Sequence, residues 1–212
     1  MIAAGADAAR GAWLAVVVDD GRFADAGIYE DLGSLLAALP EAAAVAVDVP
    51  IGLPPPGQRR RADIEARTFV GPRRSSVFFA PSAEALAPSS YREARAIQPS
   101  LSAQAYALRR AILDAASCDT ARLHEIHPEV SFRALAGEPL PFSKRTWNGQ
   151  MRRRRLLLEA GVAIPDELPV GLAPADDVLD AAVAAWSATR IARGEHALLP
   201  ADRASGEPAI AY

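Results

Sequence analysis

The sequence has one cysteine, Cys118, and one lysine, Lys144, among 212 residues, and aromatic residues make up only 6%. A lone thiol excludes an internal disulfide framework and a cysteine-built metal knuckle, since each needs cysteine partners. Set near a distant histidine it could serve as a nucleophile; otherwise it is a small buried side chain. No apolar run approaches the roughly 20 residues of a membrane span, and no repeat period is visible. The N-terminus, MIAAGADAARGAWLAVVVDD, lacks a basic leader and alternates like a strand, so a secretory signal is not expected. These absences predict a cytoplasmic protein with no membrane partner. Acidic residues slightly outnumber basic ones, 26 to 23, and the net charge of -3 argues against a tight, non-specific duplex binder.

What is present is half apolar, enough for one domain over 1–212 with a real core. IAAGAD reads as a strand ending in Asp7, followed by strands in WLAVVVDD and GRFADAGIYE. DLGSLLAALP sets Leu32, Leu35, Leu36 and Leu39 on one helical stripe, stopped by Pro40. AVAVDVPIG is a buried central strand ending at Asp48. From 54 to 100 the texture turns to Pro, Arg and Ser, predicting an inserted cover of short helices and loops. LSAQAYALRRAILDAA reads as a helix, RLHEIHPEVSF as a strand with its turn, and SKRTWNGQMRRRRLLLEAG as a helix capped near Gly161. DDVLDAAVAAW opens the last long helix, ahead of a polar tail at 205–212. Arginine clusters at Arg59 to Arg61, Arg73 and Arg74, and Arg152 to Arg155. The last four sweep about 300° of a helix, so most of them read as solvated surface.

The acids of DDVLD have two readings. Asp177 could cap the helix with Asp180 as a short-armed capping-box partner. Alternatively Asp177 and Asp180, one turn apart on the face continued by Ala181, Ala184 and Ala188, could meet the strand-end acids. Parallel neighbours lie ~4.8 Å apart, so Asp7 and Asp48 on adjacent strands would bring their oxygens within reach of one cation. Carboxylates so crowded repel unless something positive sits among them, and hard oxygen donors select Mg²⁺ or Mn²⁺. Glu125, two strands or roughly 10 Å from Asp7, would help only at the Asp48 side. His127 would orient a ligand, donate a proton, or be satisfied by backbone; Lys144 joins it as a supporting group behind the ligands. Arg73, Arg74, Ser75 and Ser76 are the candidates for substrate phosphate contacts.

Seven blocks in order, GADAARGAW, VAVDVPIGLP, RRADIEAR, RRSSVFFAP, EIHPEVSF, SKRTWNGQMRRRRLLL and DDVLDAAVAAWSA, carry a resemblance over nearly the whole chain. It is to the bacterial and archaeal family catalogued as domain of unknown function 429, described as predicted RNase H-like nucleases. The resemblance implies an α/β, RNase H-like three-layer fold: a mixed five-stranded sheet, helices on both faces, and the insertion after strand four. It implies Asp7 and Asp48 on strands with Asp177 and Asp180 on the C-terminal helix, an arrangement similar to Holliday-junction resolvases. Ala8 stands where a glycine is expected, which tightens the room for a phosphate beside that backbone. The resulting expectation is a Mg²⁺- or Mn²⁺-dependent nuclease using Asp7, Asp48, Asp177, Asp180 and Glu125 on nucleic acid or a nucleotide. The alternative is a non-catalytic binding module on the same fold. An actin-like or sugar-kinase ATPase would need a second such domain and a Gly-rich phosphate loop, and neither is present.

Overall fold

In the computed structural model, which describes residues 1–212, three strands lead in a meander: β1 (Ile2–Ala9), β2 (Ala12–Asp19) and β3 (Arg22–Tyr29). Their turns, Arg10-Gly11 and Asp20-Gly21, each place two residues at positive φ, the geometry that matches strand twist in a two-residue hairpin. Helix α1 (Leu32–Ala38), capped by the Asp31 side chain, returns the chain to β4 (Ala44–Val47). β4 lies parallel to β1, and β5 (Leu123–Glu125) lies parallel to β4, giving the order β3-β2-β1-β4-β5. This mixed five-stranded sheet matches the RNase H-like architecture that the resemblance implied.

Strand alternation divides the core into two halves. Ala3, Leu14, Val16, Ala44 and Ala46 face α7 (Pro128–Ala136), α8 (Trp147–Glu159) and α9 (Ala175–Arg193), while Ala4, Ala6, Ala15, Val45 and Val47 face α1 and α6 (Arg109–Ser117). The domain therefore has three layers. The segment after β4 supplies α2 (Arg61–Val70), a 3-10 turn at Gly71–Ser76, α3 (Ala83–Leu86), α4 (Tyr91–Ile97) and, preceding α6, α5 (Ala103–Ala107). α2 packs Ala62, Ala66 and Val70 against Val130 of α7 and against β6 (Leu198–Leu199) and β7 (Ile210–Ala211).

Several boundaries differ from the sequence reading. β1 runs past Asp7 to Ala9 because the hairpin ladder continues through Ala9 opposite Ala12. The helix expected over LSAQAYALRRAILDAA breaks at Leu108. HPEVSF is no turn but the start of α7, with His127 capping it and Pro128 in its first position, where the missing N–H is harmless. The polar tail is also built in: Ile210 and Ala211 are buried in β7, and Tyr212 stacks on Phe69 at 4.9 Å. No helix is long and apolar enough to cross a membrane.

Candidate functional site

Asp7 and Asp48 are neighbours by register. The β1–β4 ladder pairs Ala6 with Val47, and the Asp48 N–H donates to the Ala6 carbonyl at 3.2 Å, so the next step sets Asp7 beside Asp48. Both point to the α9 face, since Asp7 alternates with Gly5 and Asp48 with Ala46.

What brings α9 to them is Gly5. A Cβ there would lie inside the contact radius of three α9 backbone atoms, Ala185 N, the Ala184 carbonyl carbon and Ala181 O. With no side chain at Gly5 and alanine at Ala181, Ala184, Ala185 and Ala188, the helix backbone rests on the strand. Asp177 and Asp180 then sit at the end of β1 where Asp7 lies. The capping reading fails: Pro174 is the N-cap of α9 and no side chain caps the helix. Asp176 and Asp177 lie in its first turn, facing the free N–H groups as any acid there does.

Lys144 is the cation of the group. Its ammonium donates to Asp180 Oδ2, while the other oxygen, Oδ1, is buried and has no partner. Lys144 is delivered by the start of α8: Thr146 accepts from the Gly149 N–H and donates to the Ser143 carbonyl. Gly149 itself leaves no room for a Cβ against that carbonyl, so the loop can pass close.

The carboxylates show the electrostatic signature of crowding. Loss of hydration pushes Asp7 well above the usual carboxylate range, and the charges of Asp48, Asp180 and Asp177 add to it. Burial raises Asp48 to about 7, opposed by Lys144 and assisted by Glu129 and Asp177. Burial likewise raises Asp180 to about 7 against the pull of Lys144, and Asp48 adds to the rise. Asp177 is also raised, by burial and by Asp176. Burial opposes the Lys144 ammonium, but Asp180, Asp48 and Asp7 together hold its pKa above the ordinary lysine value. In donor chemistry the four aspartates fit a hard divalent cation; in their present rotamers, no three His, Cys, Asp or Glu side chains close around one.

Glu125 does not join them. It shares the Leu123 and Val47 side of the sheet, turned from α9, and both its oxygens are taken by Arg60 at 2.7 Å, with the Ile51 N–H at 2.6 Å. Arg60 also holds Asp63, which accepts from the Ala80 N–H, so this buried trio ties the cover segment to β5. The sequence expectation that Glu125 helps at the Asp48 side is therefore not met. Glu129, in the first turn of α7, is the one whose charge reaches Asp48 and Asp180, held at 2.6 Å by the buried guanidinium of Arg153. Arg153, 1% exposed, is also the exception to the solvated reading of the Arg152 to Arg155 run.

Beside Asp48 and Asp180 lies a cleft of about 580 Å³ whose lining also includes Lys144, Arg145, Arg73, Ser75 and Ser76, while Asp7 and Asp177 do not reach it. Part of the cover segment thus faces the site as expected, but Arg74 is not among the lining residues. Arg73 donates to the Leu140 carbonyl and Ser76 to the Arg73 carbonyl, which fixes the turn. His127 Nδ1 accepts from the Glu129 N–H, so its proton resides on Nε2, facing the Ser76 carbonyl at 3.3 Å. Burial lowers its pKa, and it tethers the 3-10 turn to α7 as a neutral ring. Cys118 is half-buried and burial raises its thiol pKa, the opposite of activation.

No curated protein and no solved structure matches this chain. The family model described as protein of unknown function DUF429 matches residues 5–205, from the strand that carries Asp7 to beyond the helix that carries Asp177 and Asp180, and the chain belongs to that family.

Proposed function

We propose that this chain is a divalent-metal-dependent nuclease that hydrolyses phosphodiester bonds, with Asp7, Asp48, Asp177 and Asp180 as the residues that hold Mg²⁺ or Mn²⁺. The observation that carries the reading is the meeting of four carboxylates, distant in sequence, at one end and face of the sheet, with Asp180 Oδ1 buried and unpartnered. The single Lys144 ammonium does not offset four carboxylates, so such an arrangement favours a further cation among the charges. Bound there, a divalent ion would lower the pKa of water and offset charge on the departing oxygen. Lys144 neutralises Asp180 meanwhile, and its partly exposed side chain can leave toward solvent. Arg73, Ser75 and Ser76 line the cleft wall where phosphate oxygens would lie, and His127 positions that wall rather than moving a proton. The substrate is a nucleic acid or nucleotide, and a cytoplasmic location goes with this reading.

Thermal unfolding with and without Mg²⁺, for wild type and Asp177→Asn, tests the proposal beside Mn²⁺-dependent cleavage of single-stranded, duplex and branched substrates. Asn removes one repelling charge, so the metal-free variant should be as stable as wild type or more so; added metal should stabilise wild type more, and cleavage should need Asp177. Identical metal shifts in both proteins would refute the assignment. One observation favours a second reading, a binding module without metal: Lys144 already supplies a cation to Asp180. In that case Mg²⁺ shifts neither protein.

A further inference from the structure

The two hairpins at the ends of β2 use different turn residues. Asp20-Gly21 is an ordinary pair for a turn that needs positive φ twice; Arg10-Gly11 is not, because Arg10 takes φ 52 without the short polar side chain that makes this region tolerable. A non-glycine residue held in that region is an observation from which function can be asked.

Arg10 is exposed and pairs with no acid in the structure, and its charge is felt by Asp177. Arg110, at the start of α6, is exposed and likewise unpaired, with Nη1 about 4.0 Å from where a Gly11 Cβ would stand. Both arginines line a second cleft of about 550 Å³, roofed by α5 and α6 and floored by the β1–β2 turn. Its acids Asp31 and Asp114 are occupied: Asp31 caps α1, and Asp114 accepts from Trp13 Nε1 and the Leu32 N–H. Glu30 is the one free carboxylate on that wall.

The two clefts are neighbours, for Leu108 lines both. Along the sheet edge the order is β5, β4 with Asp48, β1 with Asp7, then the Arg10 turn toward β2. Asp7 therefore lies between the first cleft, which holds Arg73, Lys144 and Arg145 with Asp48 and Asp180, and the second, which holds Arg10 and Arg110 where the β1–β2 turn meets α6. Guanidinium groups grip phosphate in a fork, and two banks with Asp7 between them match a backbone that carries a phosphate on either side of the one being attacked.

We infer that Arg10 and Arg110 form a second phosphate-binding bank, so that the ligand is a polynucleotide strand spanning both clefts rather than a mononucleotide. This rests on the nuclease reading for the role of the acids, but not for the binding itself.

The test is binding of a fluorescently labelled single-stranded 20-nucleotide DNA in EDTA, from low to high salt, by wild type, Arg10→Gly, Arg110→Gln and the double variant. Arg10→Gly suits the turn, so folding should hold. Arg22→Gln, at the opposite end of the sheet, is the control for net charge. Each lost phosphate contact should flatten the slope of log Kd against log salt by about 0.7, hence about 1.4 for the double variant, and weaken its binding roughly tenfold or more at low salt. An unchanged slope in the double variant, or the same loss in Arg22→Gln, overturns the inference. Mn²⁺-dependent hydrolysis of bis(p-nitrophenyl) phosphate by the wild type probes the acids separately. Its absence, with the arginine-dependent slopes intact, would sink the cleavage reading and leave the second bank supported.

Discussion

Gly5→Ala is the sharpest test of how the fold makes the site. The substitution is conservative in a strand interior, where alanine ordinarily packs better than glycine and restrains the unfolded chain more. Here the added methyl meets Ala185 N, the Ala184 carbonyl carbon and Ala181 O, all backbone, so no side chain can rotate out of the way. Carbon–heavy atom contacts are comfortable at about 3.5–4 Å, so α9 must withdraw from β1 by more than about 1 Å. Overpacking a core generally costs about 1–3 kcal/mol, and three simultaneous backbone collisions put this case near or above about 3 kcal/mol. For a chain of this size each kcal/mol lowers the melting temperature by about 2–4 °C, so a fall of about 6–12 °C is expected. The same withdrawal parts Asp177 and Asp180 from Asp7, so the stabilisation that Mn²⁺ gives the wild type should shrink as well. Gly27→Ala is the control: its methyl would meet only the Tyr29 ring at ordinary distances, and the effect should stay within about 0.5 kcal/mol. Circular dichroism melts of the three proteins, with and without Mn²⁺, decide it. A Gly5→Ala protein melting within about 2 °C of wild type with an undiminished Mn²⁺ response would refute the close-docking account.

Arg60→Met strands Glu125 and Asp63 without their buried counter-charge and should destabilise by about 3–5 kcal/mol while leaving Mn²⁺ affinity unchanged; weakened metal binding in the folded variant would return Glu125 to the site. Stability of the metal-free protein carries a sign set by the raised aspartates. Between the ordinary carboxylate range and about 7 the native state holds protons on Asp48 and Asp180 that the unfolded chain has released, so their contribution falls as pH rises through that window and is lowest above it. Half-buried His124 and His127, whose pKa values are lowered, act in the opposite sense, so the measured quantity is the difference between Asp48→Asn and wild type in urea melts. That advantage of the variant should grow from about pH 4.5 to about pH 7.5, and a flat difference would rule out a proton held at Asp48.

The parts of this molecule that were legible in its sequence are those with local periodicity. Short apolar runs bounded by turn residues give β1 to β4, and the alanine stripe behind Asp177 and Asp180 marks the face of α9 that docks. Alternation fixes only relative sides, however. It sets Leu123 and Glu125 together, but not on which face of the sheet; the register against β4 decides that, and with it the exclusion of Glu125. Glu129 stays out of the site when RLHEIHPEVSF is taken as a strand with its turn, although a proline followed by a glutamate is the composition of a helix start. Arg60 and Arg153 were unreadable as core residues, since the glutamates that pair with them, Glu125 and Glu129, lie 65 and 24 positions away. Gly5 did leave a signal: a glycine inside an apolar strand marks a bulge or a close backbone approach.

The single lysine is where composition and site meet. Every other basic residue of the 23 is arginine, so the chain uses lysine only at the one position that faces Asp180. An arginine there would present a broad, delocalised fork suited to a permanent bidentate pair, whereas an ammonium is a compact point charge on a flexible stem, strongly hydrated once it leaves. If the group at Asp180 is to give way to a divalent ion, lysine is the side chain that can exchange; if it is a permanent structural cation, arginine would serve as well or better. The two substitutions should therefore separate. Lys144→Met removes the counter-charge of a buried carboxylate and should lower metal-free stability by about 1–3 kcal/mol while enlarging the stabilisation by Mn²⁺, because the competitor is gone. Lys144→Arg should hold metal-free stability and reduce the Mn²⁺ response. Equal Mn²⁺ responses in wild type, Lys144→Met and Lys144→Arg, read by thermal unfolding, would mean that no ion contends for Asp180, and the metal assignment would fall with it.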